Sequence, residues 1–184
     1  TFVFTDGKSF RHDLGDGGEI LWSSERDGWH HLYLLDGGSG QVKRQLTKGR
    51  CVLRKVAEVD EEKRQVLVEL SGCWPGQDPY FIHYARVGID DAKVVPLTRS
   101  DGNHEAIDFS PDGNYYVCRW SRVDQPPVHE LRRAADGELV RVLAQADASA
   151  LLATGWRPPQ PVAAKDREGK FDIWGVIVRP PDFD

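Results

Sequence analysis

Six histidines, three cysteines and a scatter of carboxylates are the side chains that could do chemistry, and their spacing decides what kind. His12, His30, His31, His83, His104 and His129 show no metal-ligand spacing such as His-x-x-x-His on a helix. His30 and His31 are adjacent, and in a strand they point to opposite faces, so one ion does not easily take both. Asp6, Asp13 and Asp16 lie near glycines but fit no calcium loop, and no metal site is expected. Cys51, Cys73 and Cys118 are far apart, odd in number and without a CxxC, which predicts buried free thiols acting as small hydrophobes. An acyl-transfer nucleophile needs a Gly-x-Ser-x-Gly elbow. The nearest string, Gly37-Gly38-Ser39-Gly40-Gln41, lacks the last glycine and sits between two strands, so it predicts a hairpin turn. No catalytic residue is therefore expected in this segment. Glu61-Glu62 is an adjacent carboxylate pair of the kind that could clamp an ammonium group. It lies in the charged turn Asp60–Arg64 and reads as solvated. Phe10-Arg11 sets an apolar wall beside a guanidinium fork. Arg26 with Asp27, and Arg122 with Asp124, read as turn hydrogen bonds and ion pairs.

The elements that must position these residues are short strands. Glu19–Ser24, Trp29–Leu35, Gln41–Thr47, Cys51–Val59, Gln65–Leu70, Tyr80–Val87, Val94–Leu97, Asn114–Trp120, Val128–Arg133 and Leu139–Leu143 are apolar or alternating runs. Gly-rich and Asp-Gly turns separate them. Only Ala144–Ala153 is compatible with helix, as one short turn. The chain is predicted to be all-β. With 184 residues, 40% hydrophobic and 29% charged, it can bury a modest core. A net charge of −5 spread along the chain gives no footprint for nucleic acid, and no apolar run is long enough for a membrane span. Localisation is not legible.

Two markers recur at about fifty residues, the period of a four-stranded propeller blade. Tyr33-Leu34-Leu35-Asp36 leading to Gln45-Leu46-Thr47 resembles Ala85-Arg86-Val87-Gly88 leading to Pro96-Leu97-Thr98. Glu130-Leu131-Arg132-Arg133 leading to Arg141-Val142-Leu143 resembles both. Phe4–Phe10, Val59–Val66 and Phe109–Tyr116 form a second series closing a strand into a hairpin. The expected architecture is a partial β-propeller of three to four four-stranded antiparallel blades, at about 1–50, 51–100, 101–150 and 151–184. Closed propellers have more blades, so further blades are expected in a longer parent chain, a reading that the absence of any Met supports. Trp22, Trp29, Trp120, Trp156 and Trp174 are expected to fill the space between blades.

Longer strings add a resemblance. Ile20–Leu34, Asp78-Pro79-Tyr80, Phe109–Gly113, Ser121–Arg132, Gly155–Pro159 and Phe171–Ile177, in this order, resemble the propeller of dipeptidyl peptidase IV-like serine peptidases, in the prolyl oligopeptidase clan. The resemblance implies the C-terminal portion of an eight-bladed propeller. It also implies an α/β-hydrolase domain following Arg179–Asp184 and a Ser-Asp-His triad that removes N-terminal dipeptides without a cofactor. The implied partners are that hydrolase domain and peptide substrates, and homodimerisation stays open. The family's substrate-clamping glutamate pair belongs to an earlier blade, so its role does not transfer to Glu61-Glu62. Family members also place an arginine near this region that reaches the substrate, which is what singles out Phe10 and Arg11 for substrate binding. The rival expectation is a non-enzymatic propeller scaffold that binds a protein partner.

Overall fold

Alternating side chains in a strand give it two faces, and here both faces of the central strands are apolar enough to be covered. In the computed structural model, which describes residues 9–180 and 183, this produces three antiparallel four-stranded sheets followed by a hairpin. The first sheet runs β1 (Arg11–Leu14), β2 (Glu19–Ser24), β3 (His31–Asp36) and β4 (Val42–Gln45), in that spatial order. The second runs β5 (Val52–Asp60), β6 (Gln65–Ser71), β7 (His83–Gly88) and β8 (Val94–Pro96). The third runs β9 (Asn103–Phe109), β10 (Tyr115–Arg122), β11 (Gln125–Arg133) and β12 (Leu139–Gln145). A single helical turn, α1 (Ser149–Leu152), leads to the hairpin of β13 (Gln160–Lys165) and β14 (Asp172–Ile177). The chain is thus an all-β partial propeller. Among the described residues no helix is long and apolar enough to cross a membrane.

Face alternation in the second sheet builds two cores. Val66, Val68 and Leu70 of β6, with Ala85 and Val87 of β7, pack against Leu14, Leu21, Leu32, Leu34 and Leu46 of the first sheet. Tyr84 and Leu97, with Leu67 and Val95 beside them, pack instead against Tyr116, Cys118 and Ala134 of the third. Covered on both faces, β6 reads Gln-Val-Leu-Val-Glu-Leu-Ser with few polar gaps.

The recurring strings have a shared structural cause. Leu46 and Leu97 are fully buried, and the threonine after each turns its hydroxyl back to the third strand of its sheet. Thr47 Oγ1 accepts the Leu32 N–H at 3.0 Å, and Thr98 Oγ1 accepts the Tyr84 N–H at 2.8 Å. Neighbouring sheets are then clasped by backbone: the His30 carbonyl accepts the Leu53 N–H at 2.8 Å, and the Ile82 carbonyl accepts that of His104 at 3.0 Å. Asp36, Gly88 and Arg133 close equivalent turns by donating their N–H groups to the carbonyls of Gln41, Lys93 and Glu138.

The second marker series is only partly structural. Val59–Val66 and Phe109–Tyr116 span the turn between first and second strands of successive sheets. The equivalent turn of the first sheet is Gly15–Gly18, not the Phe4–Phe10 string, most of which lies outside the described residues. β1, β9 and β13 lack the apolar density that marks a strand and are paired because β2, β10 and β14 offer them a ladder.

The tryptophan expectation is corrected. Trp29 and Trp156 are 41% and 39% exposed, because both sit in connecting segments rather than between sheets. The tryptophan that packs on the first core is Trp74, from the β6–β7 connection.

Candidate functional site

Among the candidate residues, Phe10 and Arg11 come first along the chain. Phe10 donates its N–H to Ser23 Oγ at 2.7 Å and accepts the Ser23 N–H at 3.0 Å, packs partly against the first core and stacks on His12 with ring centroids 6.5 Å apart. Arg11 opens β1, an edge strand, and its exposed guanidinium is 3.0 Å from Asp13. Surface pairs of this kind contribute little stability. Neither residue lines a described cleft.

Glu61 is exposed but not idle. It accepts the Gly15 N–H at 2.9 Å and the His12 Nε2–H at 2.7 Å, tying the β5–β6 turn to the first sheet. Those hydrogen bonds, the Gly15 amide foremost, hold its carboxyl below the usual range. Arg64 extends the tie, meeting Glu19 and Asp90 at 2.7 Å each. Ser39 donates to Asp36 Oδ1 at 2.7 Å, which makes it a turn residue. Among the described residues no three His, Cys, Asp or Glu side chains gather as a metal site.

Of the three described clefts, the two larger ones lie beside the second and third sheets. One, of about 360 Å³, lies between the second and third sheets, lined by Glu58, Asp60, Lys63, Arg86, Phe109 and Asn114. The larger, about 580 Å³, sits beside the β10–β11 turn, where Arg122, Asp124, Pro126, Pro127, Leu152 and Trp156 form its walls. Apolar walls with one polar clamp suit a peptide side chain or amide. Arg122 is gripped by Asp124 at 2.8 Å and by Asp101 at 2.6 Å, and the Asp124 hydrogen bonds raise its affinity for its proton. The Arg122–Asp124 pair, two residues apart in a turn, was legible in sequence. Asp101 and Trp156 were not, since both arrive from other connections. Arg26 and Asp27 form the expected turn hydrogen bonds, Arg26 Nε donating to Ser24 Oγ and Asp27 accepting the Trp29 N–H, but they do not pair with each other: Arg26 lies over the Tyr33 ring at 4.7 Å, and Asp27 accepts from Gln45.

A buried column of rings joins the second and third sheets at the same end. Trp74 stacks on His83 at 4.1 Å, His83 meets His104 at 4.9 Å, and His104 meets Trp120 at 6.4 Å. His83 Nδ1, His104 Nε2 and Trp120 Nε1 are buried without a partner among the described residues. Burial pushes His83 down to about 4 and His104 down to about 3. The unfolded imidazoles titrate near 6.5, so between about pH 6.5 and 4 the unfolded chain holds protons that the folded chain does not. Stability is therefore expected to be full above pH 6.5 and to fall on acidification, by about 1.4 kcal/mol per pH unit for each imidazole. Urea unfolding at pH 7 and pH 4.5 measures this, and a His83→Gln/His104→Gln chain should show a markedly smaller difference between the two.

Residues 2–127 match the family model "Dipeptidyl peptidase IV (DPP IV) N-terminal region". Among solved structures, dipeptidyl peptidase 4 of Porphyromonas gingivalis is similar, with a TM-score of 0.65 and 24% identity over 94% of this chain and 24% of that one. A protein described as a dipeptidyl aminopeptidase IV from Bacteroides ovatus is similar too, with a TM-score of 0.67 and 20% identity over 92% of this chain and 26% of that one. The chain thus spans about a quarter of the length of these two structures, and at such identities they show a common fold. With its sheets clasped in series and the family match covering the first two and the first half of the third, this chain belongs to the dipeptidyl peptidase IV N-terminal region family.

Proposed function

We propose that the chain is the C-terminal portion of the propeller of a dipeptidyl peptidase IV-like serine exopeptidase, where it gates access to the substrate cavity and shapes it. The observation that carries this reading is the family match over residues 2–127, which falls on sheets clasped one to the next. In this reading each four-stranded sheet with its connection is one blade, at about 1–50, 51–100 and 101–150. The hairpin within 151–184 belongs to a fourth, and an α/β-hydrolase domain after residue 184 supplies the Ser-Asp-His triad. Rigid clasps suit a wall that excludes folded proteins and admits peptides.

Phe10 and Arg11 are the proposed substrate contacts. The guanidinium is the exposed member, since the phenylalanine ring leans on the core. The test uses the full-length parent enzyme on glycyl-prolyl and alanyl-prolyl reporters. Dipeptide release blocked by a serine-directed fluorophosphonate supports the reading. Arg11→Ala is then expected to raise KM by about 3–10-fold with kcat little changed. A folded full-length chain that hydrolyses neither reporter would overturn it in favour of the scaffold reading.

A further inference from the structure

Cys51 and Cys73 are separated in sequence but meet in the fold. Cys51 ends the link between the first and second sheets, and Cys73 opens the connection from β6 to β7. The β5–β6 ladder pairs Val52 with Ser71, so the two cysteines leave the ladder together at its end, one just before Val52 and one just beyond Ser71. Gly72 between them, at φ +75°, lies so close to the link that a Cβ there would be 3.8 Å from the Arg50 carbonyl oxygen. The Cys51 thiol points to the Lys48 carbonyl at 3.7 Å and that of Cys73 to the Ser71 carbonyl at 3.8 Å. The continued register sets Cys51 opposite Gly72 and Cys73 one residue beyond, so the two cysteines are diagonal neighbours across the end of the ladder.

We propose that Cys51 and Cys73 form a redox-modification site, a dithiol that a small disulfide of the glutathione class converts into an intramolecular Cys51–Cys73 disulfide. Cys51 is buried and Cys73 half-buried, so the oxidant enters from the Cys73 side. One thiolate of the pair attacks the small disulfide, forming a mixed disulfide and expelling a thiolate. The other cysteine, giving up its proton, attacks the mixed disulfide and expels the second. Two protein thiols are oxidised, one small disulfide is reduced to two thiols, and the two protons end on the released thiols. The Cys73 S–H beside it holds the Cys51 thiol below its usual range, and Cys73 is pushed up in return, so the pair offers a thiolate more readily than isolated buried thiols would. Cys118 is the built-in contrast: burial pushes its thiol up to about 11, and its neighbour is Glu130. Closing the bond staples the 46–51 link to the 72–82 connection, and so fixes the segment whose Trp74 stacks on His83.

The test incubates the native chain with oxidised glutathione, quenches with acid and maps peptides without reduction. Expected are a linked Cys51–Cys73 peptide, a loss of two hydrogens from the chain, and Cys118 alkylated only after denaturation. Dithiothreitol should reverse the change, and the oxidised chain should melt about 6–12 °C higher than the reduced one. In the native Cys73→Ser chain, glutathione should remain trapped on Cys51. A stable glutathione adduct on the wild-type chain without the internal link, a link formed only in urea, or no reaction of the native chain would each overturn the proposal.

Discussion

Gly137→Ala is expected to destabilise the chain by about 3 kcal/mol or more, because it fails in two independent ways. Gly137 closes the β11–β12 turn at φ +75°, a left-handed conformation that costs a residue bearing a Cβ about 1 kcal/mol. A Cβ there would also lie 2.5 Å from the Pro96 carbonyl oxygen and 2.8 Å from that of Leu97, both on the second sheet. Backbone cannot swing aside as a flexible side chain can, so the two sheets must separate. Other contacts fix the same approach: Tyr116 donates its hydroxyl to the Leu97 carbonyl, and Arg86 donates to the Ala134 carbonyl. Gly113→Ala is the matching control. Gly113 has φ +69° with nothing within 4 Å of its added Cβ, so only the backbone penalty of about 1 kcal/mol applies. Urea unfolding of both variants separates strain from collision. Equal losses would show that the sheets do not meet at Gly137.

Arg132→Met should cost about 3–5 kcal/mol, the effect of stranding a buried charge. Arg132 and Glu130 are both buried on β11, with Arg132 Nε donating to Glu130 Oε2 at 2.8 Å. The remaining guanidinium groups donate to the Gly137 carbonyl at 2.7 Å and to Ser100 Oγ at 3.0 Å. Removing the arginine leaves Glu130 facing only Ser100 and the Cys118 thiol, 3.8 Å away. The double change Arg132→Met/Glu130→Leu should recover most of the loss, since an apolar pair of similar volume carries no desolvation cost. A double variant as unstable as the single one would mean that Arg132 acts through the Gly137 turn. Arg132→Met and Gly137→Ala share that turn, so their effects are not expected to add.

The strands and the propeller class were legible because their signals are local. Alternation in Gln41–Thr47, the Asp-Gly turn after Arg26 and the repeated Leu-Thr pairs each concern a few neighbouring residues. The Leu-Thr repeat marked a real device, the threonine hydroxyl returning to the third strand of its sheet. The same local reading misjudged elements held by their partners. Arg11–Leu14 and Asn103–Phe109 carry weak strand patterns and pair only because β2 and β10 lie beside them. It also counted Trp29 and Trp156 as core, although a ring in a turn is covered only where another segment reaches it.

For the candidate site, sequence supplied residue types and the Arg122–Asp124 pair, and it excluded a nucleophile elbow around Ser39. By itself the sequence determined a repeating all-β chain of the dipeptidyl peptidase IV kind, because a repeat of strands and turns is written at the scale of a hairpin. Only the tertiary structure decided what stands opposite what. It brought Cys51 to Cys73, Trp74 to His83, Asp101 to Arg122 and Gly137 to the backbone at Pro96. Apart from Trp74 and His83, which are close in the chain, those contacts join segments some twenty or more residues apart, across sheets or between connections. Packing geometry sets them, and no pattern within a single strand records it.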